Sequence, residues 1–282
     1  ATPLHTRAGS RTSSDTLDEA LAAAARHKIA LHAWATCWTL EGADPALITR
    51  LTREGRLMRD AAGNTLPWLC PSLPENRTLL IDGLSALARR GVAGIHLDYV
   101  RYPETAGCYA PATRKAFEAA HGQPVAAWPA DVLPGGPLAV PFADFRRATM
   151  TAFIREARAA LRAAAPGVTL SAAVFPTPAA AAERGQAWPD WLRDGLVDFV
   201  CPMLYTESAA DFNAWPDLCL AAAPADKLVP GLGTGADECQ LEAASAAAQI
   251  AETRRRRLAG FAFFAVDDEL TGRLLPTLFP AR

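Results

Sequence analysis

Gly94-Ile95-His96-Leu97-Asp98-Tyr99-Val100-Arg101-Tyr102-Pro103 is the stretch on which the reading of this 282-residue chain turns. Its first half has the pattern of a strand. Alternation puts Ile95 and Leu97 on one face and His96 and Asp98 on the other. The apolar face has to meet helices, so the face bearing His96 and Asp98 is expected to look inward. The strand ends at Asp98, and Tyr99, Arg101 and Tyr102 follow directly.

The same alternation of elements continues on both sides. A helix beginning near Pro74-Glu75-Asn76 and ending before Gly91 precedes this strand, with Leu80, Leu84 and Leu87 as its buried face. Other helices are predicted at Leu17–His27, entered through Ser13-Ser14-Asp15-Thr16, and at Thr113–His121, Asp144–Ala164, Trp188–Gly195 and Asp237–Arg257. Strands are predicted at Ile29–Trp34, Val92–Asp98, Val168–Phe175, Val197–Leu204, Lys227–Leu232 and Gly260–Val266. Strands separated by helices pair in parallel, and near-continuous apolar strands are covered on both faces. The loops before strands are short, as at Arg90-Gly91 and Pro166-Gly167, while the loops after them are long and hold the polar and aromatic residues. That asymmetry belongs to an α/β chain of the TIM (β/α)8-barrel type, whose active site lies at the strand C-terminal ends. Only six strands are legible, so the barrel reads as incomplete. An open doubly wound sheet is the alternative, and the missing Gly-rich turn after the first strand speaks against it. The chain reads as one barrel domain over 1–282, with an irregular leader at 1–16 and a long loop insertion at 101–141.

Composition removes several function classes. Net charge is −2 and no basic stripe stands out, so nucleic acid is not an expected partner. Arg254-Arg255-Arg256-Arg257 falls at the end of a predicted helix, where cations suit the dipole. No apolar run approaches the roughly 18–20 residues of a membrane span. The five histidines form no HxH, HExxH or HxxxH pair, so neither a metal site nor a cofactor is expected. Gly231-Leu232-Gly233-Thr234-Gly235 by itself is a poor phosphate signal. A Schiff-base mechanism has little to use, since of three lysines only Lys227 falls on a predicted strand, at its start.

The candidate chemistry gathers at the strand ends. Asp98 lies where a barrel keeps its catalytic groups, and Arg101 is near enough in sequence to orient a carboxylate or a substrate. His32 and Trp34 share one strand face, and His32 is expected near His96. Glu207 follows the fourth strand and Asp267 the sixth; either is a candidate for the second carboxylate of glycosidic hydrolysis, although the triplet Asp267-Asp268-Glu269 also suits a helix cap. Seven tryptophans are many for this length. Trp34, Trp68, Tyr205 and Trp215 are candidates for walls that stack on sugar rings, whereas Trp188 and Trp191 are expected in the core.

These blocks, taken together and in order, resemble the glycosyl-hydrolase-like 10 family of bacterial TIM-barrel proteins. The matching segments are Leu31-His32-Ala33-Trp34, Trp68-Leu69-Cys70-Pro71 with Pro74-Glu75-Asn76-Arg77, Gly94 through Pro103, Asp144-Phe145-Arg146-Arg147, and Trp191 through Tyr205. The resemblance implies hydrolysis of a bacterial cell-wall or exopolysaccharide glycan, with Asp98 as the strand-end acid. It also implies export, to the periplasm, a lipid anchor or the exterior. Two departures matter: Tyr99 stands where the family often has a second Asp, and Cys70 where it has the Asn of a Trp-Leu-Asn-Pro block. Family members begin with two strands upstream of the His-Trp strand. Residues 1–16 resemble the loop after the second of these, which implies that the visible strands are barrel strands three to eight.

The expected function is therefore glycoside hydrolysis by carboxylate acid/base catalysis. Asp98, Glu207 and Asp267 are its catalytic candidates; His32, Trp34, Trp68, His96, Arg101, Tyr205 and Trp215 would bind an oligosaccharide or polysaccharide. The alternative is a catalytically inactive carbohydrate-binding barrel. Cys37, Cys70 and Cys108 all follow strands on one face, so two of them are expected close enough to bridge, with the pair left open.

Overall fold

Helix α1 (Asp15–His27) leads into β1 (His32–Thr36), the first element of the parallel series. The computed structural model describes residues 15–103, 107–236 and 239–280. The leader up to residue 14, including Ser13 and Ser14 of the expected helix entry, lies outside them. Two compact units emerge: one runs to Leu170 and includes Glu183–Gly185, and the other holds Ser171–Ala182 and Gln186 onward.

In the first unit, β1 is followed by α2 (Pro45–Arg53), a helix absent from the sequence-based expectation. Asp44 caps it by accepting the Ala46 N–H at 2.8 Å, and Pro45 fills the first helical position. An antiparallel hairpin follows, β2 (Leu57–Arg59) with β3 (Thr65–Leu69). It is closed by the Asp60 carboxylate, which accepts from the Asn64 backbone and side-chain amides at 2.8 Å each. Helix α3 (Pro74–Arg89) then returns to β4 (Gly94–Asp98). β1 and β4 are parallel, in the register His32 opposite Gly94, Trp34 opposite His96 and Thr36 opposite Asp98.

Between β4 and the next strand of the series the described residues include the helix expected at Thr113–His121. The segment 101–141 holds this helix as α4 (Pro111–His121), a 3-10 turn at Ala130–Val132 and the start of α5 (Ala139–Ala164). Phe117, Val125, Val132 and Phe142 form its buried centre, with Tyr109, Trp128 and Phe145 packed around them. α5 starts five residues before the expected Asp144 and lies along α3, where Arg77 pairs with Glu156 at 3.0 Å. β5 (Thr169–Val174) enters this unit through Thr169, whose N–H donates to Ala93 O at 3.0 Å.

In the second unit, β5 continues and pairs in parallel with β6 (Phe199–Pro202), after α6 (Pro178–Glu183) and α7 (Trp188–Arg193). Trp188 and Trp191 are fully buried, as expected. Next come α8 (Ala209–Leu220) and β7 (Gly231–Gly233). The strand expected from Lys227 begins later because Ala225–Lys227 is a 3-10 turn. Parallel bridges Val200–Leu228 and Met203–Gly231 attach this segment to β6. After α9 (Ala243–Arg255), β8 (Ala262–Phe264) pairs in parallel with β7. Residues 237–238, where the sequence pattern starts this helix, lie outside the described ones. A π-turn at Leu270–Leu274 and α10 (Leu275–Leu278) follow. Among the described residues the parallel series thus has six members, β1, β4, β5, β6, β7 and β8, with the hairpin as an addition.

Candidate active site

In the first unit the site is assembled from the exits of three strands. On β4, Ile95 and Leu97 are fully buried while His96 and Asp98 on the opposite face are only half-buried, which is the alternation expected from the sequence. Past the end of β1 the ladder continues on backbone bonds: Cys37 N–H donates to Asp98 O at 2.8 Å and Trp38 N–H to Tyr99 O at 3.4 Å. The same segment then holds β3, through Leu69 N–H to Trp38 O and Leu40 N–H to Pro67 O, both 2.8 Å. Residues 37–40 are thereby clamped between the exit of β4 and the hairpin, which is how Trp68 is delivered to the rim.

The Asp98 carboxylate accepts from two directions. The Trp34 indole N–H donates to Oδ2 at 3.0 Å, and the Tyr99 backbone N–H donates to Oδ1 at 2.6 Å. Tyr99 itself has φ = 49°. This left-handed conformation is uncommon for a residue with a bulky side chain, and strain of about 1–3 kcal/mol is typical of such sites. The turn brings the Tyr99 ring to 5.8 Å from the Trp68 ring, and the Arg101 guanidinium lies over both rings, at 5.0 and 5.6 Å. Cation–π attraction of this kind contributes about 0.5–1 kcal/mol at an exposed site. A cationic, flat-sided platform therefore stands beside a carboxylate, with Trp34 more than half exposed (57%) next to it.

His32 and His96 lie behind this rim. The His32 ring occupies the space over Gly94, where a Cβ would fall 2.4 Å from two ring atoms. Only glycine at 94 leaves room for that ring. Burial lowers the pKa of His32. Burial also lowers that of His96; the nearby Asp98 opposes the shift and His32 adds to it. Both imidazoles are therefore held toward the neutral form, which can both donate and accept.

The second unit holds the other candidates. Tyr205 stacks on Phe264 at 5.5 Å with an interplanar angle of 17°, and packs over Gly231 and Gly233. Trp215 is half-buried against the apolar cluster of Leu204, Phe212 and Ile250. Glu207 is exposed, and its Oε1 accepts the Gln240 N–H at 3.2 Å. Asp267 caps the turn after β8: Oδ1 accepts the Leu270 N–H at 2.7 Å and its carbonyl accepts from Thr271. Among the described residues no cluster of His, Cys, Asp and Glu could hold a metal ion.

Kinship follows from the match to a protein family. The profile of the family described as glycosyl hydrolase-like 10 matches residues 4–244. The chain belongs to that family. No curated protein sequence matches it. Among solved structures, this glycosyl hydrolase-like 10 chain is similar to the PgaB (BpsB) glycoside hydrolase domain from Bordetella bronchiseptica. The TM-score is 0.69 at 14% identity, covering 92% of this chain and 78% of that one. It is also similar to a β-galactosidase from Bacillus circulans sp. alkalophilus, with TM-score 0.63, 13% identity and 93% of this chain covered. The cold-adapted β-galactosidase from Rahnella sp. R3 gives 0.62, 14% and 90%. The chain spans 44% and 43% of those two enzymes. At these identities the likeness establishes the fold, an α/β architecture of the TIM-barrel type.

For this family member, the structure gathers Trp34, Trp68, Asp98 and Arg101 at one rim, whereas His96 lies further back along β4 and His32 at the start of β1, opposite Gly94. Two residues outside the sequence-based candidates touch them, Tyr99 in the first unit and Phe264 in the second. By sequence Tyr99 is a departure from the family pattern, yet it supplies both a donor to Asp98 and half of the platform. Phe264 has only the pattern of a strand residue. Its signal is the paired Phe263-Phe264, since alternation sends one of two adjacent strand residues to each face.

Proposed function

We propose that this chain hydrolyses glycosidic bonds of a bacterial cell-wall or exopolysaccharide glycan, with Asp98 as the acid/base carboxylate. The observation that carries the reading is the setting of Asp98. It sits at the C-terminal end of a parallel strand, held by Trp34 and Tyr99, beside the Trp68–Tyr99–Arg101 platform. Aromatic faces suit the apolar side of a sugar ring, and a cation beside them suits its hydroxyls and acidic substituents. His32 and His96, whose pKa values partial burial lowers, would supply further donors and acceptors. Glu207 is our first choice for the second carboxylate and Asp267 our second, because the Asp267 carboxylate already caps a turn. Tyr205 and Trp215 are our further choices for sugar-stacking residues.

Membership in a glycosyl hydrolase-like family and the fold shared with a glycoside hydrolase domain and two β-galactosidases support this reading. We also propose that the chain works outside the cytoplasm, in the periplasm, on a lipid anchor or outside the cell. Among the described residues no helix is long and apolar enough to cross a membrane. The test is a panel of bacterial glycans that includes N-acetylglucosamine polymers, followed by reducing-end release. Product formed by the wild type and lost in Asp98→Asn supports hydrolysis.

Tyr99, in the place of a second acid, favours one competing reading, a carbohydrate-binding barrel without catalysis. Retention on a glycan array with no product from any bound glycan would establish that reading instead.

A further inference from the structure

Cys70 and Cys108 meet in the interior of the first unit. Cys70 follows β3 and Cys108 precedes α4; they are 38 residues apart in sequence and their sulfurs are 3.4 Å apart. Both are fully buried and both are thiols in this structure. The Thr113 hydroxyl is shared between them, 3.3 Å from Cys70 Sγ and 3.1 Å from Cys108 Sγ. The surroundings hold both ends in place. Fully buried Asn76 donates to Cys70 O at 2.9 Å and to Arg56 O at 2.8 Å, and Tyr109 N–H donates to Arg59 O at 2.8 Å. The hairpin is thus tied to the chain on either side of the pair.

We propose that Cys70 and Cys108 form a structural disulfide when the chain folds in the presence of a disulfide oxidant. It would fasten the exit of the hairpin, which carries Trp68, to the segment that follows Asp98 and Arg101. The sulfurs have to close from 3.4 Å to the roughly 2.05 Å of a bond.

The chemistry is a thiol–disulfide exchange. One of the two thiolates attacks one sulfur of the oxidant and releases its first thiol. The other then attacks the mixed disulfide and releases the second. Two protons and two electrons leave the pair, and the oxidant disulfide is reduced to two thiols. The other described thiols have different settings: buried Cys37 and Cys219 lie against the carbonyls of Ala35 and Pro176. Because Cys70 and Cys108 are shut off from solvent once packed, exchange takes place during folding. This inference is independent of the proposed hydrolase activity.

The full chain, refolded with oxidised and reduced glutathione, alkylated in denaturant and digested without reduction, provides the test. The expected product is a linked pair of peptides carrying Cys70 and Cys108, with Cys37, Cys201, Cys219 and Cys239 alkylated. Alkylation of both Cys70 and Cys108, or linkage of either to another cysteine, overturns the proposal. A second measurement needs no variant. The oxidised chain should unfold roughly 5–10 °C above the dithiothreitol-reduced chain, and equal midpoints would remove the structural role.

Discussion

At the exit of β4, Asp98 holds its carboxylate half-open to solvent, gripped by an indole and by a backbone N–H from a left-handed turn. Beyond β8, Asp267 has a carboxylate of the same chemistry at another strand exit, but it caps the Leu270 N–H and helps start the following turn. The aromatics differ in the same way. Tyr205 stacks on Phe264 over two glycines and Trp215 leans on a core cluster, whereas Trp34 stands in solvent and Trp68 and Tyr99 carry a guanidinium. The Asp267 carboxylate is bonded within its own turn, whereas the Asp98 carboxylate is held partly from another strand. Substitutions at the two exits can break or sharpen that distinction.

The largest effect is expected at Asp98. Asp98→Asn keeps the shape and should lower turnover by at least ~10²-fold while the folded structure persists. Unchanged turnover would reduce the β4 exit to the same structural status as the β8 exit. Gly94→Ala tests the ground behind the rim. Its Cβ would fall 2.4 Å from the His32 ring, so the ring must leave or β1 must shift. We expect a loss of about 1–3 kcal/mol in denaturant titration; an unaltered midpoint would show that the ring has room to move. Trp34→Phe keeps a flat face and deletes the N–H. Turnover should fall by roughly 5–10-fold with stability changed by less than about 1 kcal/mol, since the bond is exposed. In the other region, Asp267→Ala should cost about 1 kcal/mol as a lost cap and lower turnover far less than Asp98→Asn does. A rate loss equal to that at Asp98 would promote Asp267 to the second carboxylate.

The smallest effect concerns pH. Burial holds the folded pKa of His32 and His96 below the ordinary 6.5. Their neutral forms therefore contribute stability that is complete above about pH 6.5 and is lost as pH falls through the folded values, because the unfolded chain takes up the protons first. The acid limb of a stability–pH curve should be shallower in His96→Gln, and a superimposable limb would remove His96 as its source.

Much of this contrast is legible in the amino-acid sequence alone. Period-two alternation assigns the faces of β4, and the tight turns before strands against long loops after them mark the barrel type. Pairing of Asp98 with the Trp34 indole is not legible, because it depends on the register of β1 against β4, and no sequence pattern reports which residue of one parallel strand faces which of the next. The hairpin escapes because Pro67 argues against a strand, although an edge tolerates it, and because the Asp60–Asn64 closure works through side chains. Helix α8 escapes because it contains Pro216 and lacks a clear polar face. Its start is nevertheless written in Ser208, which caps it by accepting the Asp211 N–H at 3.2 Å. Expectations for the β7 edge fail at the 3-10 turn over Ala225–Lys227, where an apolar stretch containing Pro230 has the pattern of a longer strand.

The bond between Trp34 and Asp98 also has an optical consequence. Trp38, Trp188 and Trp191 are fully buried, whereas Trp34 is 57% exposed and carries its N–H on a carboxylate. A water-soluble quencher such as iodide should preferentially extinguish emission from the open indole, and a glycan laid over that indole should shield it. If a glycan binds there as proposed, the emission should shift as Asp98 gives up the indole, and Trp34 would report its arrival.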